Sequence, residues 1–381
     1  GDLNIAVIEA KSTDGQEHPG FDSRAIALSY ATVSHLRQIK VWDWIKELAT
    51  PIRDIHISDQ SHLGMSQVHA QKELAASGDA LGYVVALEDV GPVFHQALTQ
   101  SQQIDFYCPN QLAAITRTQQ FSQLTLDDGS VLQTQLVVAA DGTYSKTCQQ
   151  LGLELTVKDF QQSAVIANVA TQLPVDGWAY ERFTPSGPVA FLPMSKAGLA
   201  KDKSSQALHR YSVVWCLPSD EAIAQTQADT SNFLRDLQQA FGWRLGKMLH
   251  TGERFSYPLR LSYRERVISH RVVMIGNAAQ TLHPIAGQGF NLGMRDVMSL
   301  AETLTQNQGQ DLGSYAVLSQ YQARRQPDRD ATMALTSNLV TLFSNSHFPL
   351  EVGRNLGLLS LDYLSILKTP VIRRTLGLVE R

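Results

Sequence analysis

A glycine-rich loop between a predicted strand and a predicted helix carries the strongest chemical signal. Arg271–Ile275 has the apolar run of a buried strand, and a helix is expected to begin near Asn291. Small residues in the loop allow a ligand to approach the backbone, and the helix N-terminus offers free amide donors and a positive dipole end. This favours an anionic or electron-rich ligand edge. The alternative is an ordinary capped turn, because Gly287, Gly289 and Gly293 miss the Gly-x-Gly-x-x-Gly spacing by one residue.

Two carboxylates follow predicted strands, where open α/β sheets bind ligands. Asp141, followed by Gly142, comes after the apolar run Leu136–Ala140, which is typical of a strand buried on both faces. Glu9 closes the short strand Asn4–Ile8, and an acidic residue there can hold a ribose hydroxyl of a dinucleotide. Taken singly, an Asp-Gly turn and a surface Glu are the ordinary interpretations.

Arg24 is a candidate partner for a phosphate group. It follows a polar loop at the start of a predicted helix, Ala25–Leu36, where its guanidinium could contact a pyrophosphate or pair with Asp22. The histidines form no His-x-x-x-His or His-Glu-x-x-His pattern, so no metal site is expected, and only His283 stands in the glycine-rich loop. The chain has no Gly-x-Ser-x-Gly, which argues against a serine hydrolase.

Composition limits the class of protein. The 381 residues suffice for two domains or for one large domain with an insertion, and 43% hydrophobic residues exclude a disordered chain. A net charge of -4 gives no basic field, so nucleic acid is not expected as a partner. The three separated cysteines fit a reducing compartment, and no uninterrupted apolar stretch of about 18 residues occurs. We therefore expect a cytoplasmic protein without a transmembrane helix.

The elements that must position these residues form an interrupted α/β pattern. From about Val157 to Tyr257 the chain is mostly extended, with one helix near Asn232–Phe241, and the α/β pattern returns at Arg271. This order predicts an α/β fold in which an antiparallel sheet is inserted into a doubly wound domain. Before the insertion we expect extended segments, a helix and a hairpin, at Ile52–Ser58, Leu81–Leu87, Val90–Leu98, Leu112–Thr118 and Gln123–Leu126. The helix after the glycine-rich loop is expected to bury Val297, Leu300, Ala301 and Leu304.

In this order, these segments resemble the class A flavin-dependent aromatic hydroxylases, which share the para-hydroxybenzoate hydroxylase fold. Within that family the chain is most similar to the ubiquinone-biosynthesis branch and its bacterial polyprenyl-methoxyphenol hydroxylases. The strings that carry the resemblance are His18–Leu28, Ala164–Ala170, Phe241–Lys247 and Gly276–Leu304. The resemblance implies a Rossmann-like FAD-binding domain with an inserted, mostly antiparallel substrate domain and C-terminal helices.

The resemblance also implies a set of FAD contacts. These match successive motifs of the family at Glu9, Arg24, Asp141, Gly142, Gly276, Asn277, Pro284, Gly287, Gly289, Phe290 and Asn291. Asn277 replaces the family's usual Asp at the ribityl contact, where it still accepts a hydroxyl hydrogen bond but carries no charge. Cys148 stands near the place where the wider class has an Arg.

The activity implied by the resemblance is ring hydroxylation of a polyprenyl-methoxyphenol in ubiquinone biosynthesis. NAD(P)H reduces FAD, dioxygen gives a flavin hydroperoxide, and its distal oxygen is transferred to an electron-rich phenol carbon. No side chain is needed as nucleophile, so no catalytic residue is assigned. Substrate contacts are expected near Phe183, Tyr257 and Pro258, all of which also fit a buried core. Two alternatives stay open: a non-catalytic FAD-binding subunit of a lipid-biosynthetic complex, and a flavin reductase that does not activate oxygen.

The implied domain division places 1–55, 86–156 and 258–330 in the FAD-binding domain, 56–85 and 157–257 in the substrate domain, and 331–381 in a C-terminal helical segment. Residues 351–381 carry five Lys or Arg against three Asp or Glu on an amphipathic pattern. We expect this segment to contact the inner membrane peripherally or to bind other ubiquinone-biosynthesis proteins, unless it packs on the protein's own core. The family's first strand and Gly-x-Gly-x-x-Gly turn are expected upstream of Gly1, in about 25–35 further residues.

Overall fold

A computed structural model describes residues 3–12, 24–60, 65–74, 80–173, 177–194, 209–284, 287–343 and 373–378. The strands are β1 (Ile5–Ile8), β2 (Ala25–Ser29), β3 (Thr50–Ile52), β4 (Asp54–Asp59), β5 (Met65–His69), β6 (Gly82–Ala86), β7 (Ile104–Tyr107), β8 (Leu112–Arg117), β9 (Ser122–Leu126), β10 (Val131–Thr134), β11 (Val137–Ala139), β12 (Thr156–Thr171), β13 (Trp178–Thr184), β14 (Gly187–Met194), β15 (His209–Pro218), β16 (Met248–Tyr263), β17 (Ile268–Ser269), β18 (Val272–Met274) and β19 (Gln280–Thr281).

The helices are α1 (Tyr30–Gln38), α2 (Trp42–Ile45), α3 (Ala70–Glu73), α4 (Leu87–Gln100), α5 (Lys146–Gln150), α6 (Ser219–Gln227), α7 (Thr230–Phe241), α8 (Gln288–Gln306) and α9 (Tyr315–Phe343), with 3-10 turns at Lys46–Leu48 and Gly276–Ala278. Helices and sheets are thus mixed along the chain, which confirms the predicted α/β class. The extended segments, the helix and the hairpin expected before residue 127 are also present, as β3, β4, β6, α4, β8 and β9.

A large, mostly antiparallel sheet dominates the middle of the chain. Its strand order is β19-β16-β12-β15-β14-β13-β4-β5, and only β13 and β4 run parallel. One face packs on helices α6 and α7. Phe233 and Leu237 of α7 meet strand residues in a buried cluster, which includes Val165, Val213 and Trp215. The inserted antiparallel sheet is therefore confirmed. The sequence predicted one helix here but α6 is a second, missed because it is largely polar and buries only its Ala222.

The predicted helix Ala25–Leu36 is wrong in its first part, because the chain forms strand β2 before helix α1 begins. The apolar segment from Ala25 to Ser29 pairs antiparallel with Gly82–Ala86. The two backbones are close enough that a Cβ at Gly82 would lie 2.4 Å from the carbonyl oxygen of Leu28. Ser29 then caps α1, since its hydroxyl accepts a hydrogen bond from the amide of Thr32. Pairing with β6 therefore outweighs the helical periodicity.

The two strands that precede the predicted carboxylates are present but less buried than expected. Strand β1 pairs in parallel with β7, and its Ile5 is 45% exposed. Strand β11 pairs in parallel with β18, and Val137 and Ala139 pack into the core. Val138 faces the other side and is 42% exposed, because side chains alternate along a strand. The prediction of a strand buried on both faces is therefore wrong.

Helix α8 follows the glycine-rich loop as predicted, but it begins at Gln288 and turns a different face inward. Leu300 is buried, whereas Val297 and Ala301 are exposed. Helix α9 packs along α8, and the α8 side chains it helps to cover include buried Arg295 and Asp296. The apolar stripe predicted for this helix is therefore only partly correct, because part of the buried face is ionic.

Most of the C-terminal segment, like residues 18–23 of the first resemblance string, lies outside the described residues. Within residues 373–378, Leu376 packs beside Val68 and Leu81. Its carbonyl oxygen accepts a hydrogen bond from the amide of Ala31, which ties this piece to the start of α1. Among the helices that can be described, none is both long and apolar enough to cross a membrane.

Candidate functional site

Two loops meet at the carboxyl ends of neighbouring parallel strands. Ala139 of β11 pairs with Met274 of β18, so the Asp141-Gly142 turn emerges beside Gly276. The hydroxyl oxygens of Thr143 and Thr281 lie 2.6 Å apart and join the two loops. The structure thus brings together two motifs that the sequence identified separately, at the edge where open α/β sheets bind ligands.

Asp141 stabilises the first of these loops. Its carboxylate Oδ2 accepts hydrogen bonds from the amide and the hydroxyl of Thr147, at 3.0 and 2.9 Å. The hydroxyl of Ser145 caps the same short helix, α5, by accepting from the amide of Cys148. Gly142 lies between them with φ +85°, a conformation that favours glycine. The Asp-Gly turn therefore shapes the loop and leaves its backbone accessible beside the second loop.

The second loop joins β18 to α8, and its described residues, 276–284 and 287, include Gly276, which is held close to helix α8. Gly276 has φ +56°, and its amide donates a 3.1 Å hydrogen bond to the Asp296 carboxylate. A Cβ at Gly293 would lie 3.4 Å from the Cα of Gly276, so the helix and the loop are in close contact. Asn277 is exposed and Pro284 half-buried. We refer to this segment below as the β18–α8 loop.

The start of helix α8 is anchored by Asn291. Its Oδ1 accepts from the amide of Ser29 and the hydroxyl of Thr32, and its Nδ2 donates to the carbonyl oxygens of Ala27 and Gly287, all at 2.8–2.9 Å. The side chain is 2% exposed. The side chain of Asn291 therefore fixes the helix against β2 and α1. The residues before it, Gly289 and Phe290, remain partly accessible.

The glycines of the two loops leave room for a flat group close to the backbone. A Cβ built at Gly142, Gly276 or Gly289 meets no heavy atom of the described residues within 4 Å. The first amides of helix α8 have no partner within the helix, and they lie at its positive dipole end. Space over the backbone, free amide donors and a favourable dipole are what a flavin dinucleotide requires. The residues present therefore fit FAD.

Arg24 and Glu9 lie at the ends of two other strands. Arg24 precedes strand β2, so its predicted position at a helix start is wrong, and its guanidinium lies 5.3 Å from the ring centre of Tyr257. Glu9 follows β1, as predicted, and accepts a hydrogen bond from the amide of Lys11 at 2.9 Å. Arg24, a predicted cofactor contact, thus stacks on Tyr257, a predicted substrate contact.

The three predicted substrate residues are divided between the two faces of the large sheet. A row of paired residues crosses five neighbouring strands: Glu181, Ala190, Val214, Ile166 and Phe255. Phe183 lies two residues after Glu181, and Tyr257 lies two residues after Phe255, so both side chains point to the face of this row, opposite helices α6 and α7. Four strand spacings separate them, which is about 19 Å. Pro258 faces the helix-covered side, because it follows Tyr257 directly. Phe183 is buried, whereas Tyr257 is 36% exposed.

His283 in the β18–α8 loop is a neutral residue at physiological pH. It is 1% exposed, and the ring of Phe160 contacts it edge to face at 5.4 Å between ring centres. Burial lowers the pKa of His283 to about 4. His283 therefore cannot supply a proton near pH 7. In the parts of the chain that can be described, no group of three His, Cys, Asp or Glu side chains is placed to hold a metal ion.

A cluster of buried ionic residues beneath the β18–α8 loop was missed by the sequence analysis. Asp296 of α8 contacts the loop, and Arg325 of α9 contacts Asp296. The available signal was the Arg295-Asp296 pair, which falls on the same side of the helix as buried Leu292 and Ser299. A charged pair at such positions indicates a fixed partner, but the partner itself lies about 30 residues further along the chain.

Comparisons with known proteins identify the family to which the chain belongs. The family described as FAD binding domain matches residues 4–336. The chain is 31% identical to the ubiquinone hydroxylase UbiL of Rhodospirillum rubrum, over 99% of this chain and 85% of that protein. It is 30% identical to the 3-demethoxyubiquinol 3-hydroxylase of Escherichia coli, over 94% and 88%. The structure of p-nitrophenol 4-monooxygenase PnpA from Pseudomonas putida superposes with a TM-score of 0.76 at 18% identity, over 98% and 91%, and so shares the fold.

The chain therefore belongs to the FAD-binding-domain family and is an FAD-dependent monooxygenase of the aromatic hydroxylase class. More particularly, it belongs with the ubiquinone hydroxylases, which confirms the resemblance found in the sequence.

Proposed function

We propose that this protein hydroxylates the ring of a polyprenyl-methoxyphenol during ubiquinone biosynthesis, with FAD as cofactor and NAD(P)H and O2 as co-substrates. The names of the relatives support the pathway. The observation that carries the proposal is a direct connection between the β18–α8 loop and an apolar sheet face. Strand β16 pairs with β19 in that loop, through Ser262 and Thr281. Tyr257, on the apolar face, stands five residues earlier on the same strand, about 17 Å away.

The apolar face is suited to a prenylated ring. Ile166, Val214 and Ala190 line it in the middle, with Phe255 and Tyr257 on the strand nearest the loop. Phe255 is 39% exposed, so an aromatic surface remains available for contact. Each methylene group that leaves water contributes roughly 0.8 kcal/mol, so a prenyl chain favours such a surface strongly.

The residues of the chain have binding and orienting roles in this proposal. FAD would supply the chemistry of the reaction, which is the uptake of electrons from NAD(P)H and the activation of dioxygen. Gly142, Gly276 and Gly289 leave space for it, and the amides at the start of α8 would face its electron-rich edge. Glu9 and Arg24 would contact its ribose and pyrophosphate. No general base is assigned, because a phenol is already electron-rich.

We further propose the domain division given by the sequence, with 1–55, 86–156 and 258–330 holding FAD, and 56–85 and 157–257 covering the substrate. The substrate would come from the inner membrane, which residues 351–381 of the C-terminal segment would contact peripherally, or through other ubiquinone-biosynthesis proteins. The membrane contact is tested by comparing membrane partition of the full chain and of a chain that ends at residue 350. Equal partition of the two would contradict the membrane contact.

The activity is tested by mass spectrometry of quinone intermediates in a strain that lacks the gene. A prenyl-methoxyphenol should accumulate and disappear when the gene is restored. With purified protein, a short-chain prenyl-methoxyphenol should stimulate NAD(P)H oxidation and yield a product heavier by one oxygen. NAD(P)H oxidation without a hydroxylated product would favour a flavin reductase. FAD binding with neither result would favour a non-catalytic subunit.

A further inference from the structure

The buried ionic cluster beneath the β18–α8 loop consists of Arg295, Asp296, Arg325, Asp328 and Arg329. All five side chains are at most 5% exposed. Arg325 Nε donates to Asp296 at 2.8 Å, while Arg325 Nη1 and Arg295 Nε donate to the same oxygen of Asp328 at 2.7 and 2.8 Å. Arg325, Asp328 and Arg329 belong to α9, so the cluster fastens α9 to α8.

Asp296 is the member that reaches the loop. Its Oδ2 accepts from the amide of Gly276 at 3.1 Å and from the side-chain amide of Gln280 at 2.7 Å. The other end of Gln280 accepts from Arg329 Nε at 2.8 Å, and Arg329 also donates to the carbonyl oxygen of Arg264. Both ends of the turn from Gly276 to Gln280 are thus bound by one carboxylate, which is itself held by a guanidinium.

The charges in this cluster do not cancel. Three arginines face two aspartates, and in the described part of the chain Nη1 of Arg295 and Nη2 of Arg325 make no hydrogen bond. Burial alone would raise the pKa of Asp328, but the guanidinium groups of Arg295 and Arg325 hold that pKa below its ordinary value. Asp328 therefore remains ionised. Removing one carboxylate would leave a further buried positive charge without compensation.

A buried ion cluster of this kind contributes little net stability compared with apolar packing, because desolvation offsets most of the attraction. Its specific effect is to hold particular atoms in hydrogen-bond contact. Here the fixed atoms are the amide of Gly276 and the side chain of Gln280, in a loop where Gly276 takes a left-handed conformation and lies against Gly293. Without the carboxylate, the Gly276 amide would be partly buried with no acceptor.

We propose that Asp296 is a positioning residue for FAD: its carboxylate, held by Arg325, fixes the turn from Gly276 to Gln280 in the conformation that receives the cofactor. This role acts through the loop and is independent of which phenol is hydroxylated. Loss of hydroxylation with normal FAD binding would contradict the proposed function but not this role.

The test compares Asp296→Asn with Asp311→Asn. Asp311 also pairs with a buried arginine, Arg271, at 2.6 and 2.8 Å, but its own side chain is 43% exposed and the pair lies at the opposite end of β18. Asp296→Asn should raise the FAD dissociation constant at least tenfold, measured by flavin fluorescence. It should also speed hydrogen exchange in the peptide 274–282 of the FAD-free protein. At saturating FAD, the midpoint potential of the bound flavin should shift in the positive direction, because a negative charge beneath the loop is lost.

Asp311→Asn should lower stability yet leave the FAD dissociation constant within twofold of wild type and the potential unchanged. An equal loss of FAD affinity in both variants, or wild-type affinity in Asp296→Asn, would overturn the proposal. If Asp296→Asn does not fold, Gln280→Met provides the test. This variant keeps every charge and removes one of the two hydrogen bonds by which Asp296 holds the loop. A several-fold rise in its FAD dissociation constant supports the role, and an unchanged value overturns it.

Discussion

The hydroxyl oxygens of Thr143 and Thr281 lie 2.6 Å apart although the residues are 138 positions apart in the chain. One follows the Asp141-Gly142 turn and the other belongs to the β18–α8 loop. Their contact follows from the parallel pairing of β11 with β18, which brings both loops to one edge. The two halves of the proposed FAD site are therefore joined directly as well as through the sheet.

Replacing Thr281 with Val should remove the direct contact between the two loops and leave the pairing of β11 with β18 intact. The change keeps the shape of the side chain and removes the hydroxyl, so the unfolding free energy should fall by about 1 kcal/mol and FAD should bind several-fold more weakly. Urea denaturation and fluorescence titration measure the two quantities. Thr305→Val is the matched control, because the Thr305 hydroxyl donates within α8 to Ala301 on an exposed surface. The interpretation fails if both variants bind FAD equally well.

Asn291 is expected to be sensitive to the loss of its amide group. In Asn291→Asp a buried carboxylate would face the carbonyl oxygens of Ala27 and Gly287, which now accept hydrogen bonds from Nδ2. We expect a loss of about 2–4 kcal/mol in unfolding free energy and loss of FAD retention at neutral pH.

The defect in Asn291→Asp should depend on pH. Burial raises the pKa of the new carboxyl in the folded state above its unfolded value, so the destabilisation grows as pH rises above about 4. Urea denaturation at pH 5 and pH 8 measures it. Asn307→Asp is the control: native Asn307, at the other end of α8, is also buried, and its Nδ2 donates to the carbonyl oxygen of Thr303. This control should be destabilised but keep its FAD affinity, and a pH-independent defect in Asn291→Asp would contradict the argument.

The parts of the site that sequence alone could predict are those with a local signal. The glycine-rich loop after an apolar strand and the Asp141-Gly142 turn are visible as spacing, and both lie where expected. The strand at Ala25–Ser29 could not be predicted, since its apolar residues fit a helix or a strand and only pairing with β6 decides. Asp296 was missed because charged residues are expected in solvent, and its partner Arg325 lies on another helix.

We expect Gly289 to tolerate a side chain in the FAD-free protein but not when FAD must bind. No heavy atom of the described residues lies within 4 Å of a Cβ placed there, so Gly289→Val should keep its secondary structure and change apo stability by less than about 1 kcal/mol. FAD retention should be abolished, because the side chain would occupy the space over the backbone. Absorbance after gel filtration and far-ultraviolet circular dichroism measure these results. Ala301→Val adds bulk on the exposed side of the same helix and should retain FAD; a yellow Gly289→Val protein would contradict the placement.

His283 should make the stability of the protein depend on pH below neutrality. Its pKa is about 4 in the folded state, because burial disfavours the charged ring, and about 6.5 in the unfolded chain. The unfolded state therefore binds a proton first as pH falls. The contribution of His283 is intact above pH 6.5 and decreases by about 3 kcal/mol as pH falls to 4.

Replacing His283 with Gln removes this titration, so its effect can be isolated from that of other groups. The difference in unfolding free energy between wild type and His283→Gln should change by about 3 kcal/mol between pH 7 and pH 4, in favour of the variant at the lower pH. Urea denaturation at half-unit intervals of pH measures it. His250→Gln, which replaces an exposed histidine on β16 away from the loop, serves as the control for the loss of a histidine. If the His283→Gln curve runs parallel to that of wild type, the pKa of His283 is the same in the folded and unfolded states, which contradicts the effect of burial.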